Sequence, residues 1–273
     1  MPIGLIAGNG TFPFLVLRAA RQMGHDVTVA AIEGEAFPDL ETLAGELGGT
    51  TFRWIHLGQL ERCIATLRDT GATRAVMAGQ VKHVKLFTDV QPDALMTSVL
   101  RSVGAGNTDA LISGVARALV GHGISLMDST AFLSDFMARP GVLTAKAPSA
   151  AMLADFEFGY RVADAVAGLD IGQTILVKNR AVVAVEAMEG TDEAIRRAGA
   201  LAGAGSRVVK VAKPSQDMRF DVPVVGVATI RVMQAAGADA LSIDAGKTLV
   251  VDGEAFVKAA DEAGIVVVGR ERA

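Results

Sequence analysis

The sequence is poor in the residues that carry covalent, redox and zinc chemistry. It has one cysteine, Cys63, so no disulfide can form within the chain, which suits a reducing compartment. Cys63 falls among Leu60, Ile64 and Leu67 at helical spacing, which reads as a core position and not as a nucleophile. Four histidines are scattered, and no Cys or His pair has the spacing of a zinc site. There is no G-x-S-x-G nucleophile elbow. Basic residues are outnumbered, 26 against 30 acidic, for a net charge of −4; this excludes a binder that works by neutralising a nucleic-acid backbone. No apolar run approaches the ~18 residues that span a bilayer, and the first ten residues lack the basic and apolar regions of a secretory leader. The expectation is a cytoplasmic protein whose membrane contact is confined to the peripheral kind.

What is there is an apolar chain with a recurring phrase. Half of the 273 residues are apolar, enough for one large core or two modest ones. A helical stretch ends at a glycine and a β-branched strand follows. The phrase occurs at Gly24 before Val27–Ala30 and at Gly71 before Arg74–Met77. It recurs at Gly237 before Ala240–Ile243 and at Gly264 before Ile265–Val268. Glycine takes the left-handed position after a helix at little cost. Strands apolar throughout are buried on both faces, as in parallel sheets, so the pattern predicts an α/β protein.

The middle of the chain reads differently. A helix over Thr108–Val120 and a short strand near Ile124 lead into Arg139-Pro140-Gly141 and Ala147-Pro148-Ser149, a density of Pro and Gly that marks a connection. Beyond it lies an Ala-rich helix, Ala150–Ala167. Two strands, Gln173–Val177 and Ala181–Val185, then flank Lys178-Asn179-Arg180 as a β-hairpin. The expected organisation is two α/β domains: a Rossmann-like parallel sheet over residues 1–130, a linker over 131–140, and a mixed sheet with a hairpin over 141–273.

Four segments carry polar chemistry. Gly8-Asn9-Gly10-Thr11-Phe12-Pro13 joins a strand to a helix, where backbone N–H groups can face an anion. Pro13 stands where a dinucleotide fingerprint needs glycine, so Glu33 after the second strand is only a mimic of a ribose-binding acid. The richest segment runs from Lys213 to Pro223. Asp217 and Asp221 are four apart and share a face in helix or strand, whereas Arg219 joins that face only in extended chain; the flanking prolines favour extended or loop structure. Two carboxylates with Lys213 and Arg219 suit a divalent metal and a pyrophosphate together. In Glu186-Ala187-Met188-Glu189-Gly190-Thr191-Asp192, Thr191 reads as a helix N-cap, while Glu186 and Glu189 are candidate metal ligands. The last pair of loops contains Gly79, Gln80, Lys82, His83 and Lys85, and Gly104 to Asp109.

These segments resemble, in order from residue 3 to residue 269, the UDP-2,3-diacylglucosamine pyrophosphatase family of lipid A biosynthesis, the type distinct from the metallophosphoesterases. Leu5–Gly10 with Phe12-Pro13, Leu57–Leu60, Met77–Gly79, Glu189–Asp192 and Lys213–Gly226 carry the resemblance. Gln80 and Asn107-Thr108 depart from it. The resemblance implies a metal-dependent hydrolase and a homodimer, acting on a glycolipid UDP-sugar at the inner-membrane surface. Its products would be UMP and 2,3-diacylglucosamine 1-phosphate, formed by water attack on the phosphorus nearer the sugar.

The site expected from residues and resemblance has Asp217, Asp221, Lys213 and Arg219 as catalytic groups. Gly8, Asn9, Gly10, Gly79, Gln80, Asp109, Thr191 and Gln216 are the expected substrate contacts. Asp217, Asp221, Glu186 and Glu189 are expected around Mg2+ or Mn2+, with the diphosphate held between the two halves. A nucleotide-dependent oxidoreductase and a non-catalytic nucleotide-sugar-binding regulator are the alternatives.

Overall fold

A computed structural model describes residues 1–81, 92–103, 108–214 and 216–271, the side chains of residues 108 and 109 excepted. The chain divides into two compact units. The first comprises Met1–Ser134 and Met218–Phe220; the second comprises Asp135–Asp217 and Asp221–Ala273.

The first unit is built on five parallel strands. They are β1 (Ile3–Ala7), β2 (Val27–Ile32), β3 (Thr50–Ile55), β4 (Arg74–Ala78) and β5 (Ser125–Leu126), in the order β3-β2-β1-β4-β5. Helices α1 (Phe12–Gln22), α2 (Asp39–Leu47) and α3 (Leu60–Asp69) connect the first four strands. Gly24 and Gly71 sit at φ 82° and 81°, ending α1 and α3 as the sequence pattern requires. Every residue of β1 is buried, which is what helices on both faces impose. Helix α3 turns Leu60, Cys63, Ile64 and Leu67 into the core, so Cys63 is a packing residue. Helices α4 (Ala94–Val103) and α5 (Thr108–Gly121) complete the unit among the described residues. Asp93 accepts from the amides of Glu61 at 2.7 Å and Met96 at 2.8 Å, capping α3 and α4 with one carboxylate.

Met218–Phe220 joins this unit through Ser129, which is fully buried. The Ser129 amide donates to Met218 O at 2.8 Å, and its hydroxyl lies 2.6 Å from Met77 O and 2.7 Å from Arg219 O. Phe220 packs on the core that contains Ile6, Ala75 and Leu126.

The second unit holds a six-stranded mixed sheet. Its strands are β6 (Gly141–Val142), β7 (Thr174–Lys178), β8 (Ala181–Val185), β9 (Arg207–Lys210), β11 (Ala240–Asp244) and β13 (Val266–Arg270). Their order is β6-β13-β11-β9-β7-β8, with β9, β11 and β13 parallel and the rest antiparallel. A parallel pair, β10 (Val224–Val225) and β12 (Leu249–Val250), stands apart from it. Helices α6 (Ala150–Gly168), α7 (Thr191–Ala202), α8 (Val227–Ala236) and α9 (Glu254–Glu262) cover the sheet. The β7–β8 hairpin turns on Asn179 and Arg180 at φ 53° and 59°, the geometry of a tight two-residue turn. Its two amides donate to the buried carboxylate of Asp155, at 3.1 and 2.6 Å, and Arg207 pairs with the same group at 2.9 Å. Residues 131–140, read from sequence as a linker, carry buried Phe132, Leu133 and Ala138 and a short 3-10 turn, Ser134–Phe136.

Candidate active site

In open α/β sheets ligands bind beyond the carboxyl ends of parallel strands. In the second unit those ends are Lys210 of β9, Asp244 of β11 and Arg270 of β13. The chain leaving β9 carries Lys213 three residues on. Asp244, fully buried, accepts the Ala212 amide at 2.8 Å and Arg270 Nε at 2.7 Å. Arg270 also forks onto Asp164 at 3.1 and 3.2 Å and lies 4.0 Å over the Tyr160 ring. Burial pulls the Arg270 guanidinium down, but its bonds to Asp164 and Asp244 outweigh that and hold it above its ordinary value. Tyr160 bonds Ser242, and burial pushes its phenol up.

The segment that Ala212 begins is pinned at each step. Val211 N–H donates to Gln173 O at 2.9 Å, and Lys213 N–H donates to Gln216 Oε1 at 2.6 Å. The Lys213 ammonium lies between two carboxylates, 2.6 Å from Asp170 Oδ1 and 3.1 Å from Asp221 Oδ2. Gln216 also reaches the Asp221 carbonyl with its side-chain amide. The structure thus gathers Lys213, Gln216 and Asp221 from the expected set and adds Asp170.

Arg219 departs from expectation. Asp221 N–H donates to Asp217 O at 3.0 Å, so Asp217–Asp221 is a single closed turn and not extended chain. Four-residue spacing keeps both acids on one side of such a turn, but two-residue spacing does not bring Arg219 with them. Arg219 belongs to the first unit, exposed, with its guanidinium 5.7 Å from the Phe220 ring centre.

Thr191 is not the N-cap; Gly190, at φ 84°, holds that position in α7. The Thr191 hydroxyl instead donates to Glu186 Oε1 at 2.8 Å and accepts from Lys210 Nζ at 2.9 Å. Glu186 and Lys210 are both buried, and the threonine oxygen links them. Glu189 pairs with Arg197. Hydrogen bonds from its own amide and from Arg197 hold its carboxyl below the usual carboxylate range.

In the first unit the turns after β1 and β4 meet. Asn9 N–H donates to Gln80 O at 2.7 Å and Gln80 N–H to Asn9 O at 3.1 Å, while Gly8 N–H donates to Ala78 O at 2.8 Å. The amides of Gly8 and Asn9, read from sequence as anion donors, are therefore used on the neighbouring turn. A Cβ at Gly8 would lie 2.6 Å from Gln80 O, and one at Gly79, where φ is 89°, would lie 2.5 Å from Asn9 O. Gly10, at φ 98° and in open space, leads into α1, whose N-cap Thr11 makes no side-chain cap. Asn9 Nδ2 holds Glu35 O at 3.0 Å. Glu33 pairs with His56 at 2.6 Å. Lys82, His83, Lys85, Gly104 to Asn107 and the Asp109 side chain lie outside the described residues.

A family model described as the LpxI N-terminal domain matches residues 2–136, and one described as the LpxI C-terminal domain matches residues 139–268. The chain belongs to the LpxI family. It is similar to the UDP-2,3-diacylglucosamine pyrophosphatase LpxI of Caulobacter vibrioides, 32% identical over 278 residues that cover 98% of this chain and 96% of that protein.

In this LpxI-family chain the four carboxylates expected around a metal are not gathered. Among the described residues no three His, Cys, Asp or Glu side chains form a group that could hold a metal ion. Glu186 is taken by Thr191 and Glu189 by Arg197. A dedicated cage does not fit these residues. A Mg2+ ion that keeps its waters and uses one or two carboxylates plus substrate phosphates needs no such cage. Asp170 and Asp244 were missed in the sequence because their roles depend on partners 43 and 32 residues away, beyond any local pattern.

Proposed function

We propose that this chain hydrolyses the diphosphate of UDP-2,3-diacylglucosamine, giving UMP and 2,3-diacylglucosamine 1-phosphate for lipid A biosynthesis. The observation that carries the proposal is the match to both LpxI domain families together with 32% identity along 98% of the chain. The cluster of Lys213, Asp221 and Gln216 supports it chemically.

In this reading water attacks the phosphorus nearer the sugar. A P–O bond forms to the water oxygen, the bridging P–O bond breaks, and UMP leaves. Asp221 accepts the water proton, and the Lys213 ammonium 3.1 Å away orients that carboxylate. Lys213 is shared by two carboxylates, so it acts on Asp221 and not as a free clamp on phosphate. The cluster of one ammonium and two carboxylates repels a diphosphate. We propose that Mg2+ or Mn2+, when bound beside the diphosphate, would neutralise its charge. Asp217 and Asp221 are the residues proposed to face it.

The proposal extends to a homodimer working in the cytoplasm at the inner-membrane surface. Among the described residues no helix is long and apolar enough to cross a membrane. The test is direct: purified protein is incubated with UDP-2,3-diacylglucosamine and Mg2+, and products are followed by phosphorus NMR. UMP and the sugar 1-phosphate in equal amounts are expected. Unchanged substrate would sink the proposal.

A further inference from the structure

Asp170 breaks two local rules at once. It follows helix α6 and its backbone is left-handed, at φ 56°, a conformation in which glycine costs least. It is also an acid at a helix C-terminus, where the macrodipole favours cations. The chain has glycine nearby on each side, Gly168 and Gly172. Gly172 is required there, because a Cβ would fall 2.0 Å from Glu186 O. A carboxylate at position 170 is therefore not there for the backbone's sake.

What it does is visible at its oxygen. Asp170 Oδ1 lies 2.6 Å from Lys213 Nζ, closer than Asp221 at 3.1 Å. The pair is partly exposed, with side chains 36% and 17% accessible, so it contributes little to stability. The backbone of Lys213 is already fixed, by Ala212 N–H on Asp244 and by Lys213 N–H on Gln216. The end of the long side chain is held by carboxylates, Asp170 at 2.6 Å and Asp221 at 3.1 Å.

We propose that Asp170 is a positioning residue for the hydrolysis, holding the Lys213 ammonium beside Asp221. The inference rests on the function proposed above. It makes Asp170 neither a substrate contact nor a structural pin. Departures from local preference tend to concentrate at functional sites, and here the departure leads to a side chain of the reacting cluster.

Two variants test it. Asparagine tolerates the left-handed region, so Asp170→Asn keeps the backbone and removes the charge. Glycine suits that backbone best, so Asp170→Gly folds at least as well as the parent and removes the carboxylate. Both are assayed with Mg2+ on UDP-2,3-diacylglucosamine, with thermal melting alongside. The expected result is kcat lowered about ten- to a hundredfold in both, KM within about twofold and melting unchanged, the pattern of lost positioning and not lost binding. A kcat within about twofold of the parent in either variant overturns the proposal. So does a raised KM at unchanged kcat, which would make Asp170 a substrate contact, or a kcat loss that tracks a lowered melting temperature. An inactive parent overturns the functional reading and this inference with it; an active parent with active variants overturns this inference alone.

Discussion

The amide of Asp221 donates to the carbonyl of Asp217 at 3.0 Å, so the two acids stand one closed turn apart. The turn is closed by main-chain atoms alone. The Asp221 carboxylate is further held by the ammonium of Lys213.

Asp221→Ala is expected to lower kcat by about 10²–10⁴-fold, the usual contribution of a positioned proton acceptor, while substrate still binds. The Asp217–Asp221 turn is closed by backbone and survives the change. Steady-state kinetics and calorimetric titration of the variant check this together. A kcat near that of the parent removes Asp221 from the mechanism.

Chelation is expected to stop hydrolysis, and Mg2+ or Mn2+ to restore it. Two carboxylates around one ammonium leave the cluster unfavourable to an unaccompanied diphosphate, and hard oxygen ligands favour such ions. Activity measured in EDTA and after each ion is added back decides it. Full activity in chelator would leave charge neutralisation to protein cations alone.

Ser129→Ala is expected to destabilise the first unit by about 1–3 kcal/mol, because the carbonyls of Met77 and Arg219 lose a buried hydroxyl. Trp54, the only tryptophan, lies in β3 of that unit and reports on it. Urea unfolding followed by its fluorescence is the measurement. An unchanged midpoint would show that Met218–Phe220 stays in place without Ser129.

The fold was legible where local rules decide. Gly24, Gly71, Gly237 and Gly264, which marked helix ends in the sequence, have φ of 82°, 81°, 72° and 68°. The hairpin around Lys178-Asn179-Arg180 is present, as are the parallel sheet of the first unit and the mixed sheet of the second. The site was legible only in part. Lys213, Gln216 and Asp221 could be picked out because they are close in sequence. Asp170 could not, because its reason lies in Lys213. Arg219 was misplaced because the prolines around the motif suggested extended chain, whereas the Asp221–Asp217 hydrogen bond closes a turn. Thr191 looked like a cap because a hydroxyl before Asp192 and Glu193 fits that role; tertiary packing gave Gly190 the cap and turned the hydroxyl to Lys210.

Cys63 is expected to resist thiol reagents in the folded protein and to react once unfolded. Burial, with a smaller push from Asp93, raises its thiol from 9.0 to about 12. The unfolded chain loses this proton first as pH rises. The stability the neutral thiol contributes is therefore complete below about pH 9 and is lost between pH 9 and 12. Urea midpoints of the parent and of Cys63→Ala across pH 8–11 check the sign, and the parent should show the steeper fall.

The crossing of the turns at Gly8 and Gly79 sets a limit of another sort. Each glycine faces the carbonyl oxygen of the opposite turn, and neither oxygen can retreat without breaking the paired Asn9–Gln80 hydrogen bonds. A side chain at one position cannot be compensated by trimming the other, since both are already as small as an amino acid can be. In a saturation library these two positions should fall silent together, and no second-site change at the other one would bring either back.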